Sequence, residues 1–277
     1  MSKYKLVCSD LDGTLLRRDM TVSEENKRAI KEMTDLGVAF VASSGRAHTG
    51  LPADVVECED IRYLISSNGA VIYDKAQKKN ILTNYMPKDV AEKMFSVVKE
   101  YDVSIFVHCN GVMHVDDSLV RDRSYDHYNI NSYYSGFIDE TGKRVESAAE
   151  FAMECGNLEM ITVFFHSQEE LDECSSRILK MGDYKVVSSC AFNIEIFYEK
   201  SGKGASLRAL AELLGIPIEE TIAVGDSTND KPMLDAAGLS LATENAFPEL
   251  KASSDAVICH FNDHVAEYIL NHYIKIE

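Results

Sequence analysis

Asp10-Leu11-Asp12-Gly13-Thr14 places two carboxylates two residues apart, directly behind the apolar run Lys5 to Ser9. One member of such a pair can attack an electrophile while the other gives or takes a proton. The competing reading is a plain hairpin turn, because Asp-Gly is a strong turn signal. A calcium-binding EF-hand loop does not fit, since Thr14 and Leu15 would fall at its fifth and sixth positions and the sixth requires glycine. A second acidic run, Gly225-Asp226-Ser227-Thr228-Asn229-Asp230, follows another apolar stretch, Thr221 to Val224, and precedes a helix. Alone it reads as a polar loop. Two acidic loops at strand ends are harder to dismiss, because clustered carboxylates repel unless a hard cation or a raised pKa relieves them. The pair therefore predicts a metal held by oxygens.

Lys203 stands between Gly202 and Gly204 at a helix start, where a cation opposes the helix dipole and glycine weakens the first turn. An exposed lysine is the ordinary reading. The placement makes more sense if the ammonium and the first amides converge on an anion. Ser43-Ser44-Gly45-Arg46 offers a hydroxyl and backbone amides after a third apolar run, Val38 to Ala42, although by itself such a stretch is more often a loop.

The elements that must position these residues follow from hydrophobic periodicity. Ser23 to Leu36 is helical in pattern, with Ala29, Ile30, Met33 and Leu36 on one face, Ser23 as cap and Gly37 as stop. Tyr63 to Ser66 and Ala70 to Tyr73 read as strands around Asn68-Gly69, and Ile81 to Thr83 as another. Residues 84–198 change texture. A helical pattern over Pro87 to Tyr101 precedes strands at Val103 to His108 and Val112 to Val115. Met160 to Phe165, a helix from Gln168 to Lys180, and strands near Tyr184 to Ser188 and Asn193 to Phe197 complete the block. Strand and helix alternation then returns: helices from about Lys203 to Leu214 and Asp230 to Ala237 flank Thr221 to Val224, and a strand lies near Leu239 to Ala242. The economical topology is an α/β fold, a Rossmann-like core with a mainly parallel sheet. It is built from residues 1–83 and 199–277 and carries an inserted α+β domain over 84–198. A chain of 277 residues is long enough for both.

The charge balance limits the partners. Lys plus Arg number 28 against 45 Asp plus Glu, a net −17, which repels nucleic acid and anionic membranes. An anionic ligand would need local cations from side chains or a metal. Seven scattered cysteines without a C-x-x-C pair fit reduced thiols and a cytoplasmic location. Met1 to Lys5 shows no signal-peptide core, and no stretch reaches the roughly 18 uninterrupted apolar residues of a membrane span.

Together the four motifs resemble the haloacid dehalogenase superfamily: Asp10-x-Asp12-Gly13-Thr14 its first, Ser44 its second, Lys203 its third and Gly225-Asp226-x-x-Asn229-Asp230 its fourth. Within it the chain is similar to the Cof-like hydrolases, which carry a large C2-type cap between the second and third motifs. Ser67-Asn68-Gly69-Ala70 and Ser201-Gly202-Lys203-Gly204 also look like that group's patterns. Ser44 stands where threonine is commoner, and keeps the hydroxyl. The resemblance implies a Mg²⁺-dependent phosphatase acting on small phosphorylated metabolites, with the inserted domain as a substrate-selecting cap. It implies Asp10 as nucleophile and Asp12 as general acid and base. The metal would be held by the Asp10 carboxylate, the Asp12 carbonyl and Asp226, with Asp230 and Arg46 in support. Ser44, Gly45, Lys203 and Asn229 would hold the phosphoryl group. Asp12 favours hydrolysis, because relatives that stop at the phosphoenzyme typically carry threonine there.

Two rivals stand beside this reading. A phosphomutase or phosphotransferase would share Asp10 and Asp12, and a non-enzymatic phosphate-binding regulator would share the scaffold. Arg121, Arg123, His127 and Tyr128 are candidates for a polar substrate face, against a solvated surface strand or loop. His48 and His264 show no ligand spacing.

Overall fold

Strand β1 (Leu6–Asp10) is buried along its whole length, and its apolar run explains why: both of its faces lie under other elements, as in a parallel sheet. The computed structural model describes residues 2–275; Met1, Ile276 and Glu277, which the expected core boundaries include, lie outside the described residues. β1 pairs in parallel with β2 (Ala39–Ser43) on one side, and β2 continues to β3 (Ile61–Ser66), also in parallel. From there β4 (Val71–Asp74) and β5 (Lys79–Thr83) turn back antiparallel, closing one edge. On the other side β1 meets β12 (Thr221–Gly225), followed by β13 (Leu239–Ala242) and β14 (Ala256–Val257), all parallel. The result is one sheet in the order β14-β13-β12-β1-β2-β3-β4-β5.

The helix Glu24–Asp35 covers one face through Ala29, Ile30 and Met33. Ser23 caps it by accepting from the Asn26 amide, and Gly37 turns the chain in the left-handed region at φ +80°. On the other face Leu207 and Leu210 of the helix Lys203–Leu213 pack with Leu6, Cys8 and Val41. The sequence pattern predicts a helix over Asp230 to Ala237. The structure holds instead a 3₁₀ turn, Thr228–Asp230, and a single helical turn, Lys231–Leu234, with Pro232 in its first turn.

The second compact unit comprises Arg46–Gly50 and Asn84–Ser201, and the first comprises the remainder. Its sheet runs in the order β10 (Tyr184–Val187), β11 (Asn193–Tyr198), β9 (Leu158–Phe165), β6 (Val103–Cys109), β7 (Val112–Asp116), β8 (Lys143–Val145). All pairs are antiparallel except β7 with β8. Helices Lys88–Val98, Ala148–Cys155 and Gln168–Met181 bury one face. Residues 199–201, expected in the core, fall in this unit because the Ser201 hydroxyl donates to the Asn84 carbonyl at 2.9 Å and the Glu199 amide to Asp183 at 3.0 Å. In the stretch expected as a surface strand or loop, Arg121 ends the short helix Asp117–Arg121, while Arg123 to Tyr128 lie in turns and a 3₁₀ turn, Asp126–Tyr128; the helix Ser132–Thr141 follows, a segment that periodicity does not reveal. No helix among the described residues is long and apolar enough to cross a membrane.

Candidate active site

Strand order brings the four motifs to one edge. Asp10 closes β1 in register with Ser43 at the end of β2, and Ser9 lies opposite Val224, one residue before the end of β12. The carboxyl ends of these neighbouring parallel strands therefore deliver Asp10, Ser44 and Asp226 to the same side of the sheet, where open α/β sheets hold ligands.

Lys203 joins them from its helix. Its side chain is wholly buried, and Nζ donates to Asp10 Oδ1 and to Asp230 Oδ1, both at 2.6 Å. The flanking glycines have a steric reason beyond the dipole argument. Gly202 sits at φ +129°, and a side chain on Gly204 would overlap the Pro232 carbonyl. The helix start can then approach the loop after β12 closely enough for Lys203 to reach Asp230. The ordinary reading of an exposed lysine is excluded.

Asp230 is fully engaged. One oxygen takes the Lys203 ammonium; the other accepts from the backbone amides of Asp226 at 3.0 Å and Ser227 at 3.1 Å. Asp226 is half-buried, and Thr14 donates to its Oδ1 at 3.4 Å. Gly13, at φ +80°, leaves room for the Asp226 carboxylate where any Cβ would collide with it. Asp12 is half-buried in the tight turn Leu11–Leu15 between the two.

Asp10, Asp226 and Asp230 each offer an oxygen within 4.8 Å of the others. Three carboxylates face one ammonium, so the cluster carries an excess of negative charge. Burial, and then Asp230, push the Asp10 carboxyl well above its ordinary value despite Lys203. Burial and Asp230 likewise push Asp226 up to about 7. Burial works against the Lys203 charge, but Asp10 and Asp230 outweigh it and raise its pKa. Asp10 Oδ2 is buried without a hydrogen-bond partner. An orphaned carboxylate oxygen beside a second carboxylate is the donor set a hard divalent cation takes, so the residues fit Mg²⁺.

Of the other predicted site residues, Ser44 is buried, its amide bonded to the Ile65 carbonyl at 2.9 Å and its carbonyl to the Asn68 amide at 3.1 Å. Gly45 is half-buried beside it. Asn229 accepts from Ser227 Oγ at 2.8 Å and donates to Asn68 Oδ1 at 3.3 Å. Arg46 belongs by its contacts to the second unit: its guanidinium lies 4.7 Å over the Phe137 ring and donates to Gly50 O and Tyr133 Oη. Arg121 and Arg123 form surface ion pairs with Asp117 and Asp139, and His127 Nε2 lies in hydrogen-bond contact with Asp102 Oδ2 at 2.6 Å. Three residues without an assigned role in the sequence reading also touch the site. Thr14 reaches Asp226, Asn68 reaches Asn229, and Asn245 donates to the Gly13 carbonyl at 2.8 Å. Thr14 and Asn68 lie in visible motifs, whereas nothing around Asn245 marks it.

The haloacid dehalogenase-like hydrolase family matches residues 7–269. Phosphatase YwpJ of Bacillus subtilis is 31% identical over 98% of this chain and 100% of its own length. The 5-amino-6-(5-phospho-D-ribitylamino)uracil phosphatase YwtE of the same organism is 26% identical, covering 98% of both chains. A solved haloacid dehalogenase-like hydrolase from B. subtilis superposes with a TM-score of 0.84 at 30% identity, over 98% of this chain and 100% of that one. With its motifs gathered at one sheet edge and the family matched over nearly its whole length, the chain belongs to the haloacid dehalogenase-like hydrolases, as a phosphoric monoester hydrolase of that family.

Proposed function

We propose that the first unit hydrolyses small phosphate monoesters through an aspartyl-phosphate, with Asp10 as nucleophile and Asp12 as general acid and base. The observation that carries this reading is the asymmetry of the Asp10 carboxylate. One oxygen is held by Lys203 at 2.6 Å, while the other is buried with no hydrogen-bond partner. A carboxylate anchored by the ammonium has a fixed orientation, so that one oxygen can face phosphorus while the other faces the cation.

In the first half-reaction an Asp10 oxygen forms a bond to phosphorus as the bond to the leaving oxygen breaks, and Asp12 gives its proton to that oxygen. In the second, the Asp12 carboxylate takes a proton from water as the water oxygen attacks phosphorus. The Asp10–phosphorus bond then breaks, releasing inorganic phosphate and restoring both aspartates. Lys203 offsets charge on Asp10 and on the phosphoryl oxygens, and the Ser44 hydroxyl, the Gly45 amide and Asn229 orient those oxygens. Mg²⁺, held by the Asp10 carboxylate, the Asp12 carbonyl and Asp226, would supply the remaining neutralisation. Asp230 positions Lys203 and the amides of the Asp226 loop. We assign leaving-group selection to the second unit as a cap, small metabolite phosphates as the substrate class, and the cytoplasm as the location, in keeping with seven free cysteines.

The test is release of inorganic phosphate from a chromogenic aryl phosphate with and without Mg²⁺. Turnover should require the ion and vanish in Asp10→Asn. Metal-independent turnover that survives the substitution defeats the proposal.

A further inference from the structure

The turn between β3 and β4 touches three of the loops that form the site. Ser67 and Asn68 both sit in the left-handed region, at φ +49°, and Gly69 follows at φ +90°. Two successive non-glycine residues in that region are costly and persist only where the surroundings over-determine them. Here those surroundings are the loop after β2, the start of the Lys203 helix and the loop after β12. The Asn68 amide donates to the Ser44 carbonyl at 3.1 Å. The Gly69 carbonyl accepts from Ser206 Oγ at 2.8 Å, and a side chain at Gly69 would overlap the Gly202 carbonyl. Asn68 Oδ1 accepts from Asn229 Nδ2 at 3.3 Å. Ser67, Asn68 and Ser206 are all essentially without exposure.

From this convergence we infer that Asn68 is a positioning residue, which holds the Asn229 amide and the Ser44 loop in register for the phosphoryl group. The inference rests on the reading of the site as a phosphatase. Its physical logic is that the Asn229 amide is held at two ends: its oxygen accepts from Ser227 Oγ within its own loop, and its nitrogen donates to an acceptor fixed on a strained, buried turn from another loop, which together set the plane of the amide. Ser206 locks the same turn from the helix side. Misplacement of an anchoring group on the order of 1 Å can cost up to about 10²-fold in rate.

The test uses the full-length enzyme with a chromogenic aryl phosphate and Mg²⁺. Asn68→Gly keeps the left-handed backbone and removes only the side chain. We expect a kcat loss of roughly tenfold with KM changed less than about threefold, because orientation matters more in the transition state than in the ground state. Asn229→Ala should lose at least as much, and the double variant no more than Asn229→Ala alone, since the two side chains act as one unit. Ser206→Ala, which leaves Asn68 in place but the buried Gly69 carbonyl unpaired, should lower the melting temperature and, assayed well below it, lose roughly threefold in kcat. Independent, multiplying losses for Asn68→Gly and Asn229→Ala overturn the inference, as does an unchanged kcat in Asn68→Gly and Ser206→Ala. Wild-type enzyme that hydrolyses no monoester overturns the phosphatase reading instead, so the two failures are distinguishable.

Discussion

Lys203 Nζ donates to Asp230 Oδ1 at 2.6 Å, with both side chains wholly buried. The pair sits beneath Asp10, which shares the same ammonium. A buried ion pair of this kind adds little net stability over an apolar replacement, yet removing one partner leaves uncompensated charge.

Lys203→Met should therefore destabilise the protein by about 3–5 kcal/mol and lower turnover on the order of 10²-fold or more. Adding Asp230→Asn should restore much of the stability and none of the activity. Urea denaturation and steady-state assays check the two halves separately. A double variant that regains turnover would remove Lys203 from the chemistry.

Metal binding should appear as stabilisation. Mg²⁺ in about 100-fold excess over its dissociation constant adds about 2.7 kcal/mol, or roughly 5–10 °C in a chain of this size. Asp226→Asn should abolish the increase, because it removes a carboxylate beside the orphaned Asp10 oxygen. Thermal melts in chelator and in Mg²⁺ provide the comparison.

A pH-dependent contribution lies away from the cluster, in Asp74. Its buried carboxylate accepts from Arg62 Nε at 3.0 Å and Nη2 at 2.8 Å, from Gln77 Nε2 at 2.8 Å and from the Ala76 amide at 2.9 Å. Arg62 above all draws its pKa from 3.8 down to about 2, against the opposing effect of burial. The folded pKa is depressed, so the stabilisation is fully present above the unfolded value of about 3.9. It is lost as pH falls from about 4 through about 2. With Arg62 half exposed, screening reduces the gain to about 1–2 kcal/mol. Asp74→Asn should cost that much at pH 7, and its deficit against wild type should close below pH 4. A deficit that stays constant with pH would contradict this.

Asn26 joins distant parts of the first unit. Its Nδ2 donates to the Leu15 carbonyl at 3.4 Å, and its Oδ1 accepts from the Ala266 amide at 2.9 Å. Asn26→Ala leaves both partners buried and unpaired, at a cost of about 1–3 kcal/mol. Amide hydrogen exchange should quicken at Ala266 first.

The sequence is legible where a local pattern and a tertiary demand coincide. β1 and β12 are apolar because they are buried on both faces, and the acidic loops follow them because a parallel sheet exposes its carboxyl edge. Lys203 was marked by a conflict, a cation between two glycines at a helix start, and the conflict is resolved only by Pro232 and Asp230 from another loop. Where no local signal exists the reading fails. The helices around Ser132–Thr141 lack a clear apolar stripe, the expected helix over Asp230–Ala237 shrinks around Pro232, and Asn245 acts through a single bond to Gly13 that spacing cannot announce.

The placement of β1 between β2 and β12 has a consequence for the birth of the protein. Asp10 and Lys203 are 193 residues apart in the chain. At roughly 5–20 residues per second of synthesis, the ribosome needs on the order of 10–40 s to produce the second after the first. During that interval β1 has a neighbour on one side only, and the edge later taken by β12 is an open, apolar template for pairing. The edge beside β1 is thus unpaired while the intervening residues are made, and the pocket cannot exist until Lys203 and Asp230 have both been synthesised.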